Sequence, residues 1–205
     1  MGRDDAMIEE YRRIFGEQWR DPVPGKVSGD AFYHGPVPEE MVADAERELG
    51  VAFPPSYRTF LLHFGAGFIG SNEISGLSTE ERDGAESHFW SSVVEDSKTA
   101  WSGPIRDREG LPRHLVYLNC DGGELSYFLD SSMPDDAGEY PVVRWGPIEH
   151  PGEIIAPNFL EFVRWIEREH QRYLEWKKDH PSPPLGFDWK MDIKTGEVTR
   201  GRTWK

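Results

Sequence analysis

The spacing in this chain that comes nearest to a known chemistry is Gly65-Ala66-Gly67-Phe68-Ile69-Gly70, which fits G-x-G-x-x-G, with Asp83 and Glu86 downstream where a ribose contact would fall. In a dinucleotide site the glycines follow a strand and open a helix, so that the pyrophosphate meets the helix N-terminus. Here the order is reversed. A helix-spaced segment precedes the glycines, and Asn72-Glu73-Ile74-Ser75-Gly76 follows, which starts no helix. The glycines therefore read as a helix C-cap running into a tight turn.

Other reactive residue types lack the company they need. His34, His63, His88, His114, His150, His170 and His180 are scattered, with no H-E-x-x-H and no second Cys to share a metal. Asp135 and Asp136 suit a hard cation in type but carry no EF-hand spacing, and read as a solvated acidic loop. There is no G-x-S-x-G elbow and no Walker A sequence. Cys120, the single Cys, ends the apolar segment Leu115–Asn119, where a small half-buried thiol is expected; nucleophilic work would need a His brought to it by folding. The sequence thus predicts no catalytic, cofactor-binding or metal site, and no enzyme.

Three tryptophans suggest a different chemistry. Trp90, Trp101 and Trp145 lie outside clear periodic faces and close to acidic residues, and an aromatic anchor ringed by charge is the usual make-up of a protein-binding hot spot. The candidate contact set is Trp90, Glu95, Asp96, Trp101, Asp135, Asp136, Glu139 and Trp145. Charge favours the same reading. The chain carries −14 overall; Pro38–Val163 holds 23 acidic and 8 basic residues, a net −15, and the two ends together are near neutral. Such a field repels nucleic acid and anionic membranes and steers toward basic partners. One Cys and the absence of an apolar run behind the charged N-terminus predict a reducing, cytoplasmic setting.

The elements that must position these residues follow from periodicity. Met7, Ile8, Tyr11, Ile14, Phe15 and Trp19 predict an N-terminal helix over 4–19, followed by a loop through Pro22, Pro24, Gly25 and Gly29. Pro38 opens a helix that Gly50 stops, and Pro54-Pro55-Ser56 opens another with Tyr57, Phe60, Leu61 and Phe64 on one face. Residues 68–77 read as short strands or turns, and Ser87–Trp101 as a helix. Leu115–Asn119 and Glu124–Asp130 read as paired strands, Ser131–Glu139 as a loop and Pro141–Trp145 as a further strand. Pro157 starts the longest helix, and alternation of Phe187, Trp189, Met191 and Ile193 before Lys194–Glu197 predicts a C-terminal hairpin.

The order of these segments resembles the SUKH superfamily of fungal Smi/Knr cell-wall regulators and bacterial immunity proteins. Pro38–Gly50 is similar to its "I..aE..LG" helix, and Val51–Leu61 to "lP.sYr.FL". Ile74-Ser75-Gly76-Leu77 is similar to "I.GL", and Leu118–Asp130 to the "G...y.lD" hairpin. Pro141–Trp145 and Ile155–Phe162 resemble the closing strand and helix. His63–Gly67 departs from the family's "N-G-G". The resemblance covers residues 38–166, leaving 1–37 as a helical extension and 167–205 as the end of the long helix plus a hairpin tail. It implies a single-domain α+β fold with helices on a mainly antiparallel sheet. It also implies a cytoplasmic bacterial immunity protein that neutralises a toxin by tight binding, with a regulatory scaffold as the alternative; the acidic middle segment independently suits a basic toxin such as a nuclease. It carries no catalytic residues to transfer.

Overall fold

Proline and glycine punctuate the first three helices as the sequence requires. The computed structural model describes residues 2–18, 31–70, 72–79, 92–102, 111–120, 125–146, 152–180, 189–191 and 198–200. Helix α1 (Arg3–Phe15) buries Met7, Tyr11, Ile14 and Phe15, and Gly16 ends it at φ 66°. Helix α2 (Glu39–Leu49) buries Val42, Ala45 and Leu49, with Pro38 as its N-cap and Gly50 as its left-handed stop. Helix α3 (Pro55–Phe64) carries Pro at its first position and buries Tyr57, Phe60, Leu61 and Phe64.

Two four-stranded sheets accompany the helices. The first runs β1 (Glu17–Gln18), β2 (Ala31–Tyr33), β3 (Gly67–Ile69) and β4 (Asn72–Ile74); β1 and β2 are parallel and the other pairs antiparallel. Helix α4 (Val93–Ser102) precedes the second, wholly antiparallel sheet of β5 (Leu115–Cys120), β6 (Ser126–Asp130), β7 (Val142–Trp145) and β8 (Glu153–Ala156). The two sheets are joined where Ser75 N–H donates to Leu118 O at 2.7 Å and the Asn119 side-chain amide donates to Glu73 O. Helix α5 (Phe159–Asp179) starts after Asn158, whose Oδ1 accepts Glu161 N–H at 2.9 Å, two residues later than Pro157. Strands β9 (Trp189–Met191) and β10 (Val198–Arg200) pair antiparallel, the hairpin expected from alternation.

The chain divides within α5 into Met1–Arg168 and Glu169–Lys205. In the first unit, the second sheet is buried on both faces. Val116, Leu118, Tyr127, Leu129 and Val142 face the main core; Leu115, Phe128 and Val143 face a smaller cluster with Ala100 and Leu111. Helix α1, which the sequence sets outside the core as an extension, is central to it. Tyr11 is fully buried and meets Phe60 and Phe64 edge-on, with ring centroids at 5.7 and 5.6 Å, and packs on Phe159 at 6.1 Å. Strands β2 and β8 have no counterpart in the sequence reading, and β1 falls where that reading extends the N-terminal helix to residue 19, because Gly16 stops the helix at Phe15. The three strands are two to four residues long, and β8 leaves Glu153 and Ile154 exposed, so neither length nor alternation marks them.

A crossing of three backbone segments explains two glycines. His34 N–H and Gly35 N–H donate to Ala66 O and Phe64 O at 2.9 Å each, and Leu77 N–H donates to Gly65 O at 3.0 Å. A Cβ on Gly76 would lie 1.9 Å from Gly65 O and 2.9 Å from the Ala66 Cα. The "I.GL" glycine is thus required by contact with backbone, which cannot swing aside. Gly65 is the helix C-cap expected of the G-x-G-x-x-G run, and β3 follows it, so the dinucleotide order is absent; Asp83 and Glu86 lie outside the described residues.

Ion pairs fasten α1 to the start of α5. Arg13 pairs with Glu167 at 2.8 Å and with Glu10 at 3.0 Å, and Arg164 joins Glu10 at 2.9 Å and Glu161 at 2.6 Å. Hydrogen bonding from Arg13, and then from Arg164, holds the Glu10 carboxyl at about 2 against an opposing pull from partial burial.

Two outcomes are expected. Gly76→Ala should lower stability to denaturant by about 3 kcal/mol through overpacking. Gly50→Ala, with nothing within 4 Å, should lose only about 1 kcal/mol from its left-handed backbone, both read from urea midpoints. Because the Glu10 carboxyl is depressed in the folded state, its stabilisation is complete above the ordinary value of 4.5 and lost as pH falls toward about 2. Stability measured across that window should fall less steeply in Glu10→Gln than in the wild type.

Candidate functional site

Glu139 organises one end of the first unit. It follows the loop 131–138 between β6 and β7, and its side chain is only 3% exposed. Its Oε1 accepts Ser56 N–H at 3.1 Å and the Arg3 guanidinium at 2.7 Å, and its Oε2 accepts the Ser56 hydroxyl at 2.5 Å. Pro54 and Pro55 offer no side-chain cap to α3, so this distant carboxylate takes an orphan N–H of its first turn and faces the positive end of the helix. Tyr11 donates its hydroxyl to Ser56 O at 3.1 Å, joining α1 to the same point.

The loop ahead of Glu139 is closed on itself. Asp135 Oδ1 accepts the N–H groups of Ala137 and Glu139 at 2.8 Å each. Asp135 N–H donates to Glu139 O at 2.9 Å, and Gly138 N–H to Asp135 O at 3.0 Å. At the other end Asp130 Oδ1 accepts Ser132 N–H at 3.0 Å and its hydroxyl at 2.6 Å. What remains outward is Met133, 50% exposed, with Pro134 and Asp136 beside it. The frame holds a thioether and a carboxylate in solvent.

A second polar chain runs under α3. Tyr57 donates to Ser75 O at 2.7 Å, and Ser75 donates its hydroxyl to Asp96 Oδ2 at 2.9 Å. Burial raises the Tyr57 hydroxyl well above its usual range, and the nearby Asp96 charge adds to this. Ser97 Oγ accepts Tyr117 N–H at 2.9 Å, so the first turns of α4 seat both sheets.

The eight residues picked from the sequence therefore do not share one patch. Trp90 lies outside the described residues. Glu139 corrects the expectation of a surface acid: its carboxylate is consumed as an internal acceptor. Asp135 is exposed but shapes the loop, and Asp136 is exposed on it. Asp96 is half-buried and bonded to Ser75, while Glu95 is exposed 3.9 Å from Lys98. Trp101 and Trp145 are half-buried and pack on the Phe128 and Val143 cluster, Trp101 donating to Leu115 O at 2.7 Å. In register, Trp145 lies opposite Ser126, at the end of β6 away from the loop that carries Asp135 and Asp136. The Cys120 side chain is outside the described residues. Ser56, Arg3 and Met133 are absent from the candidate contact set drawn from the sequence. A Ser on the first turn of a proline-opened helix hints at a capping partner, but nothing in the sequence identifies Glu139, 83 residues away, as that partner.

Among the described residues no group of three His, Cys, Asp or Glu could hold a metal ion, and no helix is long and apolar enough to cross a membrane. A family model described as SMI1-KNR4 cell-wall matches residues 7–166, a span that includes most of α1. No curated protein matches the chain. Among solved structures, a crystal structure of a protein from Pseudomonas syringae pv. tomato is 22% identical, covering 71% of this chain and 92% of that chain with a TM-score of 0.40.

Replacing Glu139 by Ala should cost about 2 kcal/mol in urea unfolding, since it leaves the buried Ser56 N–H without an acceptor. Arg3→Ala should cost under about 1 kcal/mol, because the guanidinium is 54% exposed.

Proposed function

The chain belongs to the SMI1-KNR4 cell-wall family, within the SUKH superfamily, and on that premise we propose that it is a cytoplasmic immunity protein that neutralises a basic toxin by binding it. The observation that carries this reading is the closed loop 131–138, which holds Met133 and Asp136 in solvent while Asp135 and Glu139 keep its shape. A loop already ordered loses little conformational entropy on binding. Met adapts to an apolar patch on a partner, and the acid beside it favours a basic one. The −15 concentrated between Pro38 and Val163 supports fast association with such a partner. A toxin that grips nucleic acid has a basic cleft of this kind, and an acidic surface can occupy it in place of phosphate. Binding without catalysis accounts for all of these features.

The test is capture from a lysate at low and high salt, with the bound protein identified and expressed alone. One stoichiometric basic partner that is toxic by itself, and harmless with this chain, is the expected result. Several weak partners would favour a regulatory scaffold instead. With the partner in hand, Met133→Ala combined with Asp136→Lys should slow association about tenfold or more and steepen its loss with salt. Unchanged kinetics would remove the loop from the interface.

A further inference from the structure

The loop 131–138 presents a sulfur atom that lies outside both buried clusters. The Met133 side chain is 50% exposed, and the bond that fixes this residue runs from its backbone N–H to Asp130 O at 3.3 Å. Other groups make the frame. Ser131 donates its N–H and its hydroxyl to His114 O at 2.9 Å each. Asp130 Oδ1 holds Ser132, and Asp135 Oδ1 holds Ala137 and Glu139. The other described methionines are placed differently. Met7 is 6% exposed in the main core, and Met41 is half-buried against it. A thioether meets an oxidant in solution according to its exposure, and on that measure Met133 stands apart.

We propose that Met133 is a reversible oxidation site that switches the loop's hold on its partner; the switch rests on the toxin-binding reading of this loop. Hydrogen peroxide is the oxidant. One of its oxygens passes to Met133 Sδ, the O–O bond breaks, and the other oxygen leaves as water. Sulfur loses two electrons and the peroxide gains them. A methionine sulfoxide reductase reverses the step: a dithiol becomes a disulfide and the oxygen leaves as water. The sulfoxide is a polar acceptor where the thioether was apolar and adaptable. Pressed on an apolar patch, that acceptor is buried without a donor, and binding weakens. The turns of the loop are closed by Asp130, Asp135 and backbone groups, so its shape survives the change. Oxidation alters what the loop offers and not how it is held.

Dilute hydrogen peroxide on the full chain, followed over time by peptide mass mapping, tests the site. Met133 should gain one oxygen ahead of Met41, and about tenfold or more faster than Met7, which reacts only as the fold opens. The urea midpoint should not move, and methionine sulfoxide reductase should remove the oxygen. Met133 reacting no faster than Met7 or Met41 overturns the site, as does a midpoint that falls while Met133 reacts.

The switch is read on the basic partner identified by capture. Oxidised wild type should bind it about tenfold or more weakly. The reductase should restore binding and a simple thiol should not, which separates Met133 from Cys120. Met133→Leu, whatever its own affinity, should lose the response to peroxide; a response that persists places the effect elsewhere and overturns the switch. Equal binding by oxidised and reduced chains, with Met133→Ala plus Asp136→Lys still slowing association, overturns the switch and leaves the loop in the interface. A partner indifferent to both changes, or no partner at all, removes the binding reading and the switch with it, while the peptide map still decides the site.

Discussion

A carboxylate buried under a helix that cannot cap itself is the constraint on which the first unit turns. Helix α3 begins Pro54-Pro55-Ser56, a start that sets the backbone for a helix and supplies no side-chain acceptor for its first N–H groups. Glu139 supplies it from a loop 83 residues away and takes the Ser56 hydroxyl as well. Through Arg3 and the Tyr11 bond to Ser56 O, the same point ties in α1. One group thus fixes the register between the N-terminal helix, the helix at the centre of the core and the hairpin loop offered to solvent. A buried carboxylate is costly unless its oxygens are bonded, and here both are.

The acidic residues of this chain divide by what surrounds them. Glu10 is clamped between two arginines, Glu139 is internal, and Asp130 and Asp135 close turns. These charges belong to the architecture. Asp136 and Glu95 face water and contribute to the field a partner would meet. Net charge alone does not separate the two populations, although only the second can steer association. The same division applies to tryptophan: Trp101 and Trp145 complete a small core against the second sheet. Meanwhile the exposed large apolar side chains among the described residues include Met133, Tyr173 and Trp176.

Periodicity and punctuation determined much of this protein without help from the fold. Helices α1, α2, α3 and α5, the strands β5 to β7 and the C-terminal hairpin are legible because their apolar residues recur at 3.6 or 2 and because Pro, Gly and Asn mark their ends. The G-x-G-x-x-G run could be read as a helix stop from local order alone. Family segments from Pro38 onward point to the α+β class.

Tertiary structure decided what local pattern cannot encode. Strands of two to four residues exist only because a neighbour supplies their hydrogen bonds, so β1, β2 and β8 leave no periodic trace. Gly76 is required by a backbone brought against it from Gly65, and Ser56 by an acceptor 83 residues distant. Whether an acid is a surface charge or an internal acceptor depends on which donors the chain folds over it. That is a property of contacts between remote residues, and Glu139 and Asp136, three positions apart in one acidic loop, take opposite roles for that reason.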